Sequence, residues 1–268
     1  MGPDQIKFSI EKQFHSLVTI VTPSFNQGQF IEETILSILN QTYKNIQYII
    51  VDGDSSDKTM EVVNKYRDQI EIIIHEKDKG QSDAINKGFR LAKGELVGWI
   101  NSDDILYPDC LEKIVELFKN KPDGAIFYGS KSNFIDEKSN IFKLNVLEIP
   151  NREYLLNKNY SIIQPGSFYS TFLVRKCNYL NENLNFCMDL DLWLRMLKYG
   201  SIYHYNLKPL AGFRFWGETK TMNGRSKFLR EIRKTLLKHG ANPFSPNIWR
   251  TYWQEAKDVA KRIIETIQ

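Results

Sequence analysis

The sequence predicts an α/β protein in which a mostly parallel sheet is flanked by helices and followed by C-terminal helices. Three observations carry that expectation. Over the first 130 residues, short apolar runs alternate with stretches of helical periodicity, the pattern of consecutive βαβ units. Three of those runs end in polar clusters, Pro23-Ser24, Asp52-Gly53-Asp54 and Ser102-Asp103-Asp104. In open parallel sheets, ligands bind beyond the carboxyl ends of the strands, so the clusters are expected to converge on one edge. At 268 residues, the chain has room for one such domain with a decorated end.

The elements follow in order. Leu17-Val18-Thr19-Ile20-Val21-Thr22 reads as a buried first strand, broken by Pro23-Ser24-Phe25-Asn26. Ile31, Ile35, Ile38 and Leu39 recur at helical spacing, with Glu32 and Glu33 in the first turn, where the helix dipole favours acid. Tyr48 to Val51 is a second strand, and Ser56 or Asp57 can cap the helix carrying Met60, Val63 and Tyr66. Ile70 to Ile74 is a third strand. Lys87 to Ala92 belongs to a helix ending near Gly94, and Leu96 to Ile100 is the fourth strand. Pro108 opens a helix through Leu111, Ile114, Val115 and Phe118, and Ala125 to Tyr128 is the fifth strand.

Beyond residue 130 the pattern changes. Asn133 to Asn159 is polar and irregular, a hairpin or linker region, and Gln164 to Tyr169 leads into a strand. Asp189 to Leu197 is helical, with Leu190, Trp193, Leu194 and Leu197 on one face and Asp189 at its start. Helix resumes at Ser226, breaks at Gly240 and Pro243, and continues from Trp249 to Ile267.

Composition narrows the function. A net charge of +4 is too weak a signal for nucleic-acid binding. Three cysteines without metal-type spacing give an odd count, which fits a reducing cytoplasm better than a disulfide framework. No apolar run approaches the ~18–20 residues that span a bilayer, and the N-terminus lacks the apolar region of a signal peptide. The expected location is cytoplasmic. Arg230, Arg233, Lys234 and Lys238 lie beside Phe228, Leu229, Ile232 and Leu236. Such a basic amphipathic helix either lies on an anionic membrane face or packs on its own domain.

The chemistry concentrates at Trp99-Ile100-Asn101-Ser102-Asp103-Asp104, where an apolar strand ends in two adjacent carboxylates. Such groups are costly to desolvate and repel each other unless a cation or polar ligand is present. Mg²⁺ and Mn²⁺ take oxygen ligands and often share them with a diphosphate. One reading is therefore a metal–nucleotide site. The other is a solvated turn with Asp103 or Asp104 near a helix cap. Gly-x-Gly-x-x-Gly is absent after the first strand, as is a Walker loop. A basic Gly-rich phosphate loop near the N-terminus, as in nucleotidyltransferases, is also missing. Four histidines without a Gly-x-Ser-x-Gly elbow speak against a serine hydrolase.

Several blocks together resemble glycosyltransferase family 2. They are Val18 to Asn26, Leu36 to Tyr43, Ile50 to Thr59, Asp78 to Gly88 and Trp99 to Asp104, followed by Gln164-Pro165-Gly166 and Met188 to Arg195. The resemblance implies a GT-A fold over residues 1–222, with a nucleotide-sugar half at 16–130, an acceptor half at 131–222 and a helical extension at 223–268. It implies an inverting, Mn²⁺- or Mg²⁺-dependent transfer from a nucleotide sugar. Pro23 and Phe25 would line the base pocket. Asp52 would accept from the base, which suits uracil and hence a UDP-sugar, with Asp54 as second candidate. Lys79 and Asp83 would lie near the diphosphate and sugar. Asp104 would hold the metal, with Asp103 sharing it or binding the ribose, and Asp189 would be the catalytic base. Asp191 is read as structural, with the base role as its alternative. The acceptor would be a growing glycan or lipid-linked oligosaccharide of a bacterial surface polysaccharide.

The chain departs from the family at two places. Asn101 replaces a first Asp, and Trp216 stands where relatives often carry His. An indole N–H cannot ligate a cation, so either the metal holds more water or Arg214 and Lys220 carry more of the phosphate charge, with weaker metal dependence. These departures also allow a nucleotide-sugar-binding pseudoenzyme.

Overall fold

The computed structural model describes residues 16–217 and 225–267. Among them, two sheets and nine α-helices form an α/β architecture. The main sheet is nucleated by β1 (Val18–Ser24), which pairs in parallel with β2 (Ile46–Asp52) on one side and β4 (Leu96–Trp99) on the other. β3 (Ile72–His75) extends the β2 side in parallel. The β1–β2 register sets Ser24 opposite Asp52, and the β1–β4 register sets Val21 opposite Trp99. The polar clusters that end these three strands therefore reach one edge together.

Strand side chains alternate between two buried layers, as the pleat requires. Val21, Ile49, Val51, Val97 and Trp99 enter one core. Val18, Ile20, Tyr48, Ile50 and Leu96 enter the other, with Ile31, Ile35 and Ile38 of α1 (Ile31–Leu39). α2 (Thr59–Lys65) begins one residue past Lys58, and Asp57 accepts the Thr59 N–H at 2.9 Å.

α3 (Gln81–Leu91) starts earlier than the apolar periodicity indicates. Its first turns are polar but buried. Asn86 accepts from Leu180 N–H at 2.9 Å and donates to the Leu180 carbonyl at 3.0 Å, so a side chain that looks solvated is paid for by backbone hydrogen bonds. α4 (Cys110–Asn120) leads to β6 (Gly124–Gly129) as expected.

β9 (Ser167–Ser170) lies between β4 and β6 and is antiparallel to both. It starts at the edge where its neighbours end, which places Gln164 beside Trp99. β10 (Ser201–Tyr205) adds to β6 in parallel. A second sheet, ordered β5 (Ile105–Leu106), β11 (Ala211–Arg214), β7 (Lys131–Ile135) and β8 (Ile141–Val146), crosses the same edge. The region expected as a hairpin or linker is the β7–β8 hairpin followed by α5 (Arg152–Asn157), whose Asn151 cap accepts the Tyr154 N–H. β10, β11 and α6 (Thr171–Lys176) add to the sequence-derived elements.

α7 (Met188–Met196), α8 (Arg225–Lys238) and α9 (Pro246–Ile267) follow. Ile232, Leu236 and Ile248 share one core with Trp193 and Leu194, so the C-terminal helices are built onto the sheet. The expected boundary at 222/223 and Lys220 lie outside the described residues.

Candidate active site

Where the two sheets meet, a cleft of about 420 Å³ opens beyond the ends of β1 and β4. Pro23, Phe25, Gly80, Gln81, Asn101, Asp103, Asp189 and Trp216 line it. Gly80 has φ +118°, a left-handed conformation that suits glycine, and it directs the first turn of α3 to the cleft wall.

Asn101 organises the floor. Its amide donates to Asp104 Oδ2 at 3.1 Å and to Gln164 Oε1 at 3.3 Å, and its oxygen accepts from Gln81 Nε2 at 2.9 Å. Gln164 in turn donates to the Trp99 carbonyl at 2.8 Å. In the sequence, Gln81 and Gln164 stand out only as members of the family-like blocks. Both act as struts under Asn101, Gln81 from the start of α3 and Gln164 because β9 is inserted antiparallel.

The two carboxylates of the acidic pair are placed differently. Asp103 lines the cleft, with one oxygen accepting from Trp216 Nε1 at 2.9 Å. Burial pushes its carboxyl above the ordinary range, and the Trp216 bond and Arg214 charge only partly offset this. Asp104 is 1% exposed and points into the protein. Oδ1 accepts the Arg214 N–H at 2.9 Å, Oδ2 accepts from Asn101, and its carbonyl accepts from Thr34 Oγ1. Burial, then the charge of Asp103, hold the Asp104 carboxyl well above the usual range. Of the acidic pair, Asp103 and not Asp104 thus lines the cleft.

Arg214, expected near the phosphates, is among the residues that line the cleft. Its side chain is fully buried and its guanidinium is spent inside the protein. Nε donates to the Asp103 carbonyl, Nη1 to the Asp136 carbonyl and Ser139 Oγ, and Nη2 to Glu33 Oε2 at 2.6 Å. The ring of Phe30 lies 4.8 Å below it. Arg214 ties β11 to α1 and the acidic turn. Trp216 packs edge-on to the same Phe30 at 5.1 Å.

Asp52, Asp54, Lys79 and Asp83 lie near the cleft but outside its lining. Asp52 is fully buried and accepts from Ser55 N–H, Ser55 Oγ and His75 Nδ1, the last at 2.7 Å. Asp54 is exposed, with φ +67°. Asp83 accepts the Lys79 N–H at 3.0 Å and closes the turn before α3.

Asp189 stands in the first turn of α7 and also lines a second cavity of about 280 Å³. Gln164, Phe186, Asp189 and Phe213 are common to both cavities. Phe186 and Phe213 carried no sequence signal, because a single aromatic in a loop or short strand reads equally well as core. Asp191 faces away. It accepts from Arg195 Nε and lies 2.8 Å from His239 Nε2. Burial raises its carboxyl, but His239 and Arg195 outweigh burial and hold it below the ordinary range.

Among the described residues, no three His, Cys, Asp or Glu side chains gather into a metal cluster. The donor chemistry still fits a cation shared with a diphosphate. Such an ion needs only one or two carboxylates and takes its other ligands from phosphate and water. Asp103 is the residue that fits.

Comparison with known proteins agrees with this geometry. The chain is 32% identical over 258 residues to an uncharacterized glycosyltransferase of Rickettsia conorii, covering 86% of this chain and 41% of that protein. It therefore spans less than half the length of that relative. Its fold superposes on residues 1–349 of Staphylococcus aureus TarS, in complex with UDP-GlcNAc, with TM-score 0.64, 16% identity, and coverage of 82% and 65% of the two chains. The mannosyltransferase PcManGT of Pyrobaculum calidifontis, in complex with GDP-Man and Mn²⁺, gives TM-score 0.60, 15% identity, and coverage of 93% and 76%. These likenesses make the fold GT-A. The profile of glycosyl transferase family 2 matches residues 19–181, from β1 through the acidic pair and β9. That match covers more than half of the chain and, with the R. conorii relative, places the chain in glycosyl transferase family 2.

Proposed function

We propose that this chain is an inverting glycosyltransferase that moves a sugar from a nucleotide sugar to an acceptor hydroxyl. One observation carries the reading: Asp189 lines both the larger cleft and the second, aromatic cavity. A donor in the cleft and an acceptor in the second cavity would then meet at one carboxylate. The R. conorii relative is described as a glycosyltransferase, and the two solved neighbours hold UDP-GlcNAc and GDP-Man, which supports a nucleotide-sugar donor.

In this mechanism Pro23 and Phe25 flank the nucleotide. The N–H groups of the first turn of α3 face the diphosphate, where a helix N-terminus favours negative charge. Asp189 accepts the proton of the attacking hydroxyl, worth about 10²–10⁴-fold when such a base is well placed. A single base across from the leaving group gives one displacement and therefore inversion. Asp103 would hold a divalent cation, which when bound stabilises charge on the departing diphosphate. UDP is the favoured nucleotide, and a glycan or lipid-linked oligosaccharide the favoured acceptor.

The commitment of Arg214 and the Trp216–Asp103 bond favour a second reading, a protein that binds the donor without turning it over. Calorimetric titration with UDP, GDP, dTDP and CDP, in Mn²⁺ and then in EDTA, tests the first reading. Mn²⁺-dependent binding of one nucleotide, with slow release of UDP from a UDP-sugar, is the expected result. Binding without any donor hydrolysis or transfer favours the second reading, and binding of none rejects both.

A further inference from the structure

The outward face of the C-terminal helix hairpin carries a feature that sugar transfer does not use. In α9, Ile248 and Thr251 are buried against the domain. Trp249, Tyr252 and Trp253 point away and are 61%, 51% and 59% exposed. Ala256, also exposed, continues this face. Offsets of three and four residues put all of these on one side of a helix. A monomer rarely presents so many large apolar side chains together without a partner.

The polar surroundings identify the partner. Arg233 of α8 stacks over Tyr252 at 3.9 Å and pairs with Glu255 at 2.9 Å, and Arg230 pairs with the same Glu255. These contacts hold α8 alongside α9, and Lys227 and Lys234 of α8 are exposed on the same hairpin. Lys257 lies 3.6 Å over the ring of Trp253. A protein partner would have to desolvate these lysines to reach the aromatics. An anionic bilayer surface accepts both at once. Indole and phenol rings settle at headgroup depth, and lysines beside them meet lipid phosphates. No described helix is long and apolar enough to cross a membrane, so the contact would lie in the plane of the interface.

We infer that the α8–α9 hairpin docks this protein on an anionic membrane face through Trp249, Tyr252 and Trp253, with the lysines of α8 as its electrostatic flank. This goes beyond the proposed transfer reaction and does not depend on it. The test is co-sedimentation of the full chain with phosphatidylcholine vesicles, with and without phosphatidylglycerol, alongside tryptophan emission. Binding to the anionic vesicles with a blue shift is expected, weakened by salt and at least about tenfold weaker on pure phosphatidylcholine. Trp249→Ser/Trp253→Ser should lower partitioning by at least about tenfold while leaving nucleotide binding unchanged. Lys227→Glu/Lys234→Glu, both exposed and outside the core, should weaken binding in the same direction. Failure to bind anionic vesicles overturns the inference. So does equal binding by both variants, or a concentration-dependent dimer that the tryptophan variant dissolves.

Discussion

Asp189 and Asp191 show how a single helix assigns opposite fates to like residues. At about 100° per residue they project roughly 200° apart around α7. One reaches the wall shared by two cavities, and the other is buried between Arg195 and His239. Asp189→Asn keeps the size of the side chain and removes the base. It should leave nucleotide affinity nearly unchanged and cut transfer at least ~100-fold, measured by steady-state kinetics beside calorimetry. Unchanged transfer would remove Asp189 from the chemistry. Asp191→Asn should instead cost about 3 kcal/mol in urea unfolding, because it strands the Arg195 charge in a largely buried setting. The sign of its pH dependence follows from its lowered carboxyl. The wild-type advantage is complete above the ordinary carboxylate range and fades as pH falls through the folded-state value. An advantage that grew on acidification would contradict the pairing.

At the scale of elements, the packing of α3 on β1 sets the position of the cleft. A Cβ at Gly88 would sit 2.4 Å from Val21 Cγ1, so this helix lies against the strand only because residue 88 has no side chain. Gly88→Ala should destabilise the protein by about 1–3 kcal/mol. It should also weaken nucleotide binding, since α3 carries Gly80 and Gln81 at the cleft wall. Thermal unfolding and titration of the variant check both effects, and a neutral result would show that the helix can shift freely. The strands β1, β2 and β4 were readable because their apolar runs face cores on both sides. The first turns of α3 were not, because Asn86 is buried on backbone partners that lie in a distant loop.

For the whole molecule, the decisive contact is between the two sheets. β11 delivers Arg214 to the acidic turn, and that single guanidinium joins Glu33, Asp103, Asp136 and Ser139. Arg214 is thereby an internal clamp, with all three guanidinium nitrogens hydrogen-bonded within the protein. β9 contributes from the other side, since its reversed direction brings Gln164 under Asn101. The same assembly leaves the aromatic stripe of α9 facing out, because Ile248 and Thr251 already fill its inner face.

The sequence by itself determined the α/β class, the parallel strands around β1 and the convergence of Pro23, Asp103 and the neighbouring polar residues on one edge. Those features follow from periodicity and from the rule that a parallel strand ends where its ligand begins. Tertiary structure decided which carboxylate of the acidic pair meets the cleft, that Arg214 is enclosed, and that β9 runs backwards between parallel neighbours. Each of these depends on partners more than 60 residues away, Asp104 with Arg214 at a separation of 110 and Asn101 with Gln164 at 63. Local pattern fixes which side chains a turn carries, but only long-range hydrogen bonds fix which of them are spent inside the protein and which are left for a ligand.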